Sequence, residues 1–367
     1  MVNQEGIRKL EKVHPYPAKY TIDTIAAYID KYSEKGDLIY DPFVGCGTTL
    51  LTANMLERIG IGADINGIAV LISQFKITAY TISDIKRLES FIGNLRNHCL
   101  NFDTSNNKSY KSIEHWFNKN AITTLSAILQ SIERDLAGFP KGILLAKVVF
   151  SSILTNVSNQ ESDTRYSATE KKNVDCEYIF AVYEKKFRQL LGVVSEIEYS
   201  DCTAKSSVKL QNSKKSSEVF GENSVDFIIT SPPYPNTYDY YLYHKHRMLW
   251  LDYSVNDAMR QEIGSRREFS SLKKPADNFT NDLFEILVDC NKMLKANKYA
   301  AFIIGDGQIS GERYDSRNNM IKLAEKLKWR LVFDDCNSLD DISKAFQKSF
   351  RVKGKLEHVL VFQKIEK

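Results

Sequence analysis

Seven short stretches of the chain read as apolar, with β-branched or aromatic side chains, and several end in an acidic residue: residues 37–41, 59–64, 195–200, 225–230, 299–305, 329–334 and 357–363. Such runs predict strands buried on both faces of a sheet. Between most of them apolar positions recur every three to four residues, predicting helices over 48–58, 68–80, 277–295 and 316–328. Alternating strands and helices predict an α/β fold with a doubly wound, seven-stranded, mostly parallel sheet. The roughly twenty residues between the last two strands suit a long antiparallel return as well as a crossover.

Residues 81–194 are too many for one crossover helix. Helical spacing recurs there over 82–100, 122–136, 143–154 and 178–193, with polar connections at 101–112 and 158–173. The pattern predicts an inserted helical subdomain over 81–194, flanked by the two parts of one sheet domain, 1–80 and 195–367.

Composition narrows the class. With 43% hydrophobic and 26% charged residues among 367, the chain is ordinary globular protein. An 18-residue apolar run and a secretory h-region are both missing, which predicts a cytoplasmic protein. The six cysteines are scattered without a CxxC pair, so no metal site is expected. A net charge of +4 permits a nucleic-acid partner without demanding one. Local charge is more pointed: residues 344–355 hold five basic and no acidic side chains, and 205–215 hold four basic ones. Either run can face phosphate or be a solvated loop.

Candidate chemistry starts where the first strand turns into the first helix, at Asp41-Pro42-Phe43-Val44-Gly45-Cys46-Gly47-Thr48-Thr49. Open parallel sheets bind ligands at this edge. The glycines let backbone approach a ligand, while Asp41, Thr48 and Thr49 can hold its charged end. A dinucleotide fingerprint would want a third glycine at Leu50, which disfavours a nicotinamide cofactor. The second strand ends on Asp64-Ile65, an acid suited to a ribose diol. Asp201-Cys202, after the expected third strand, can accept from an adenine amino group or cap a helix. Upstream, residues 14–20 are rigid and aromatic, placing Tyr16, Ala18 and Lys19 to fold over the ligand.

The strand at 225–230 runs straight into Ser231-Pro232-Pro233-Tyr234. An exocyclic base amine is a poor nucleophile because its lone pair is delocalised into the ring. Two acceptors that take its hydrogens, Ser231 Oγ and the Pro232 carbonyl, would free that pair to attack a sulfonium methyl. Tyr234 offers a flat face for an extruded base. None of the cysteines follows a proline, so methylation at a ring carbon, which needs a cysteine nucleophile, is disfavoured. Residues 236–247 are dense in aromatic and basic side chains that suit either stacking and phosphate contact or a helix core. Tyr238, Lys245, Arg266, Arg267, Lys348 and Arg351 are the candidate nucleic-acid contacts.

These motifs together resemble the DNA cytosine-N4/adenine-N6 amino-methyltransferases of restriction-modification systems. Asp41 to Thr49 is similar to the family's cofactor motif, Asp64 to its ribose acid, Asp201 to its adenine contact, Ser231 to Tyr234 to its catalytic motif, and Tyr16 to Lys19 to the segment closing over methionine. The resemblance covers residues 10–80 and about 195–365. It implies a Rossmann-like methyltransferase sheet, S-adenosylmethionine as cofactor and double-stranded DNA as substrate. It also implies a cognate restriction endonuclease or other defence component as partner. Serine at 231 resembles the cytosine-N4 version. Alternatives that stay open are adenine-N6 methylation, an RNA or tRNA amino-methyltransferase, and a catalytically silent nucleic-acid-binding protein on this scaffold. The insertion, which the resemblance leaves unexplained, is the candidate for DNA recognition.

Overall fold

The computed structural model describes residues 4–17, 20–100, 102–171, 174–197, 199, 201–338 and 356–366. Its main sheet has seven strands: β1 (Leu38–Asp41), β2 (Ile59–Asp64), β3 (Ser207–Leu210), β4 (Val225–Thr230), β5 (Leu294–Gly305), β6 (Trp329–Ser338) and β7 (Leu356–Lys364). They lie in the order β6-β7-β5-β4-β1-β2-β3. All neighbours are parallel except β7, which runs antiparallel to both β5 and β6. The long connection before β7 is therefore an antiparallel return. Strand order reverses between β1 and β4, and the ends of those strands carry the two motifs.

Side chains alternate between two buried faces. Ile39, Phe227, Ile229, Ala301, Ile303, Val359 and Val361 pack with Ile25 and Ile29 of the helix Ile22–Tyr32. Tyr40, Ile228, Ala300, Phe302, Leu360 and Phe362 pack with Leu283, Ile286 and Leu287 of the helix Ala276–Met293. Burial on both sides explains the unbroken apolar runs.

The third strand departs from the sequence expectation. Ser195 ends the helix Cys176–Ser195, and β3 lies further on at Ser207–Leu210. In β3 only Val208 is buried, because this edge strand needs one apolar anchor. Its Ser/Lys-rich context therefore reads as a loop.

The insertion is helical as expected, with Ile82–Cys99, Lys119–Asp135, Pro140–Ile153 and Cys176–Ser195 as its long helices. The connection at 158–173 also contains a hairpin, Gln160–Ser162 with Arg165–Ala168. The insertion's core is not sealed off from the sheet. Leu88, Leu125, Val149 and Phe187 share one apolar cluster with Leu51, Leu71 and Phe75, which sit on helices flanking the sheet, and with Trp250. An N-terminal helix, Gln4–Glu11, adds Ile7 and Leu10 to the same cluster. Among the described residues no helix is long and apolar enough to cross a membrane.

Candidate active site

β1 ends on Asp41, whose carboxylate is buried and accepts from the Phe43 amide at 3.0 Å and the Thr230 hydroxyl at 2.6 Å. Thr230 is the last residue of β4, so one carboxylate ties the two motif-bearing strand ends together. Burial pushes the Asp41 carboxyl above its usual range, against the lowering effect of its hydrogen bonds.

Beyond Asp41 the chain turns through Gly45 and Gly47, both left-handed at φ 49° and 79°. Gly47 is required twice over, since a Cβ there would also lie 2.9 Å from Ser73 Cα. Ser73 in turn donates to the Gly45 carbonyl at 2.8 Å, fixing the loop. At the end of β2, Asp64 accepts from the Gly45 amide at 2.9 Å and from the Asn66 amide at 2.8 Å. Desolvation raises the Asp64 carboxyl to about 6.

These groups open on a cavity of about 590 Å³, within the range of small-molecule sites. Asp41, Pro42, Phe43, Gly45, Thr48, Thr49, Asp64 and Ile65 all line it, whereas Gly47 backs the loop from behind. Tyr16 lines it from above, its ring 3.4 Å from where a Gly45 Cβ would stand and stacked on His244 at 5.0 Å. The lead-in that carries Tyr16 is anchored by His14, whose Nε2 lies 2.9 Å from Ser151 Oγ of the insertion. Ala18 and Lys19 lie outside the described residues.

Asp201 and Cys202 are corrected. They begin the short helix Asp201–Lys205 that leads into β3, and neither lines the cavity. Because β3 pairs with β2 in the register Asp64↔Leu210, the residues beyond Leu210 are those that reach the cavity. There Asn212 and Ser213 line it, with Asn212 Nδ2 donating to Gln261 Oε1 at 3.0 Å.

Ser231, Pro232, Pro233 and Tyr234, directly after Thr230, line the same cavity. The Tyr234 ring rests on Gly305, where a Cβ would come within 2.4 Å of Cε2. Its hydroxyl donates to Glu357 Oε1 at 2.7 Å, and Tyr20 donates to the same oxygen at 3.0 Å. The turn after Tyr234 is pinned by Asn236, left-handed at φ 57°, whose amide donates to the Gly264 carbonyl and whose Nδ2 donates to the Gln308 carbonyl. Glu357, Glu262 and Asn212 are cavity residues singled out by no motif, whereas Tyr20 and Tyr240 belong to the aromatic runs 14–20 and 236–247. Tyr20 and Glu357 meet across 337 positions, a pairing that no local spacing signals.

Glu262 is buried, and its carboxylate accepts from the amides of Tyr240 at 2.8 Å and Tyr241 at 2.9 Å. Desolvation outweighs those bonds and raises its carboxyl from 4.5 to about 8. The unfolded chain gives up this proton near pH 4.5 while the folded chain holds it to about pH 8. Glu262 thus contributes stability that is complete at low pH and is lost as pH rises through that window. Glu262→Gln is expected to remove this slope, so the variant gains on the wild type between pH 5 and pH 8 by on the order of a few kcal/mol. Thermal unfolding of both proteins across that range checks it; parallel curves would refute the assignment.

The nucleic-acid candidates divide. Tyr238 lines the cavity. Lys245 is half-buried, its Nζ lying 5.2 Å from the centre of the Tyr166 ring in the insertion hairpin. Arg266 is exposed, and the Arg267 amide donates to Asp239 at 3.0 Å. Lys348 and Arg351, with the basic run 344–355, lie outside the described residues. In the run 205–215, Lys214 is engaged internally, 2.6 Å from Asp282 and 2.7 Å from Glu285. Within 236–247, His244, His246 and Arg247 are buried instead of facing a ligand. In the segment 262–267, Ile263, Gly264 and Ser265 are buried.

Residues 3–75 match the family described as DNA methylase. The chain is similar to the type II methyltransferase M.MvaI of Kocuria varians, at 27% identity over 68% of this chain and 59% of that protein. It is also similar to the type II methyltransferase M.BsoBI of Geobacillus stearothermophilus, at 26% identity over 78% of this chain and 63% of that one. The chain thus spans about three fifths of the length of these relatives. Among solved structures, a SAM-dependent methyltransferase from Methanosarcina mazei overlaps with a TM-score of 0.37 at 10% identity, over 96% of this chain and 100% of that one. The matched segment 3–75 and the two type II relatives make the chain similar to DNA methylases.

Proposed function

We propose that the chain is a DNA methyltransferase that moves a methyl group from S-adenosylmethionine to the exocyclic amine of a base extruded from the duplex, N4 of cytosine in preference to N6 of adenine. The observation that carries this reading is the shared cavity. The Ser231–Tyr234 turn and the Asp41, Gly45 and Asp64 cluster open on it together.

The residues fit that cofactor. Asp64 stands where a ribose diol would donate, Asn212 and Ser213 flank the place for the adenine, and Asp41, Thr48 and Thr49 face the amino-acid end. When bound, S-adenosylmethionine supplies an electrophilic methyl group on sulfur. Ser231 Oγ and the Pro232 carbonyl accept the two hydrogens of the target amine, and the Tyr234 ring stacks on the base. Serine at 231 supports cytosine, because the cytosine-N4 members are the ones this motif resembles. The inserted helices and their hairpin, set against the segment that follows the catalytic turn, serve in recognising the duplex, with Lys245 and Arg266 at its phosphates.

Titration calorimetry with S-adenosylmethionine tests the cofactor. Binding is expected in the wild type and at least about tenfold weaker in Asp41→Ala, which loses a charge-assisted buried hydrogen bond at the loop. No binding, or binding indifferent to Asp41→Ala, would count against an enzyme. Methylome sequencing of a host expressing the chain then reports the base: N6-methyladenine would overturn the cytosine assignment, and an unmodified genome the DNA substrate.

A further inference from the structure

The ring of Tyr234 turns about two side-chain torsions, and the second of these is broad for an aromatic residue. A base that stacks on the ring needs its plane fixed, since a misplacement of about 1 Å can cost about a hundredfold in rate. Two contacts fix it. On one face the ring lies against Gly305 of β5, so close that a Cβ there would stand 2.4 Å from Cε2. At its tip the hydroxyl donates to Glu357 Oε1 at 2.7 Å. β7 pairs with β5 in the register Glu357↔Gly305, so the support and the acceptor are neighbours across the sheet and the ring spans from one to the other.

Tyr20 completes the arrangement. Its hydroxyl lies 3.0 Å from the same Oε1 and is in direct contact with the Tyr234 hydroxyl. Two hydroxyl protons therefore serve three oxygens. The Tyr234 proton goes to Oε1, and the Tyr20 proton is shared between Oε1 and the Tyr234 oxygen, which keeps lone pairs to accept it. Tyr20 is itself held in place. It stands just before the helix Ile22–Tyr32, which is capped by Thr21 and packed on the sheet through Ile25 and Ile29. Tyr20, Tyr234 and Glu357 all line the cavity.

We infer that Glu357 and Tyr20 are positioning residues that hold the Tyr234 ring in the plane on which the target base stacks. The inference rests on the amino-methylation reading above. Neither residue exchanges a proton with the base; Oε1 is a fixed acceptor that sets the ring before the base arrives. Position 357 must therefore supply an acceptor oxygen, which an amide does as well as a carboxylate.

The test uses the full chain, tritiated S-adenosylmethionine and saturating unmethylated, amplified genomic DNA under single-turnover conditions. Tyr234→Phe keeps the stacking face and loses the tether. It and Glu357→Ala are each expected to slow transfer by at least about tenfold. Glu357→Gln, which keeps an oxygen for both hydroxyls, should stay within about threefold of the wild type. Tyr20→Phe, which removes only the shared proton, should fall between them. The double variant Tyr234→Phe/Glu357→Ala should be no slower than the slower single one, since both release one tether. Cofactor affinity by calorimetry should stay within about twofold in the Tyr234 and Glu357 variants, because the bonds that shape the glycine turn are untouched.

Tyr234→Phe within about threefold of the wild type would overturn the inference, and it decides alone if Glu357→Ala does not fold. Glu357→Gln as slow as Glu357→Ala would overturn it too, since charge and not the acceptor oxygen would then matter. So would losses that multiply in the double variant, the result of a general weakening of β7. A wild-type chain that transfers no methyl group to this DNA overturns the functional reading and the positioning role together.

Discussion

Ser231→Ala is expected to cut single-turnover methyl transfer by roughly a hundredfold or more, while S-adenosylmethionine binds within a few-fold of the wild type. The reasoning starts from position. Ser231 directly follows β4 and lines the same cavity as the loop that Asp41 and Asp64 fix. Removing its oxygen deprives the amine of one of two acceptors, without altering any of the hydrogen bonds that shape the glycine turn.

Tyr234→Ala is expected to fall by a similar factor for another reason. Stacking on an aromatic face is worth about 1–3 kcal/mol per base, and the variant also leaves an empty space above Gly305. Loss of cofactor binding in both variants would refute the assignment of this end of the cavity to the reacting base. Transfer within about threefold of the wild type in Ser231→Ala would remove the acceptor role altogether.

How much of this site the sequence discloses depends on how far apart its parts lie. Asp41, Gly45, Gly47 and Thr48 lie close together around one strand-to-helix turn, and Ser231 to Tyr234 around another, so composition at each turn reveals them. Asp64 is legible because β2 is a run of small and apolar residues that ends on a single acid. Asp201 misleads for the same reason. It is an acid after an apolar-looking stretch, but the helix Cys176–Ser195 extends into that stretch, and the strand waits until Ser207. Glu357 carries no local signal, and only the antiparallel placement of β7 beside β5 brings it opposite Gly305 and under the Tyr234 ring.

The insertion shows the same limit in its packing. Helical spacing over 81–194 discloses the helices, but not that Leu51, Leu71 and Phe75 of the sheet's own helices belong to their core. Cutting the insertion out would expose those side chains to water, so a simple deletion tests stability before it tests recognition. A better probe of the link is a single buried side chain.

Arg247 is that side chain. The aromatic and basic run 236–247 suggests a phosphate contact there, yet the residue is 1% exposed. Its guanidinium donates to the Ser151 carbonyl and the Thr155 hydroxyl, each at 2.9 Å, and pairs with Asp163 in the hairpin region of the insertion. One planar fork therefore joins the helix Lys245–Trp250, which follows the catalytic turn, to two elements of the insertion.

Breaking a buried pair from one side usually costs about 3–5 kcal/mol. Asp163 remains 34% exposed, so water can reclaim its charge, and the lower end of that range applies. Arg247→Ala is accordingly expected to lose about 3 kcal/mol of stability in urea unfolding, and Arg247→Lys somewhat less, because an ammonium cannot serve all three acceptors. If the fork also holds the hairpin against the catalytic segment, DNA affinity should fall further than cofactor affinity under conditions where the variant is still folded. A stability change below about 1 kcal/mol would mean that the guanidinium is replaceable by water, and that the apolar cluster around Trp250 alone joins the two parts.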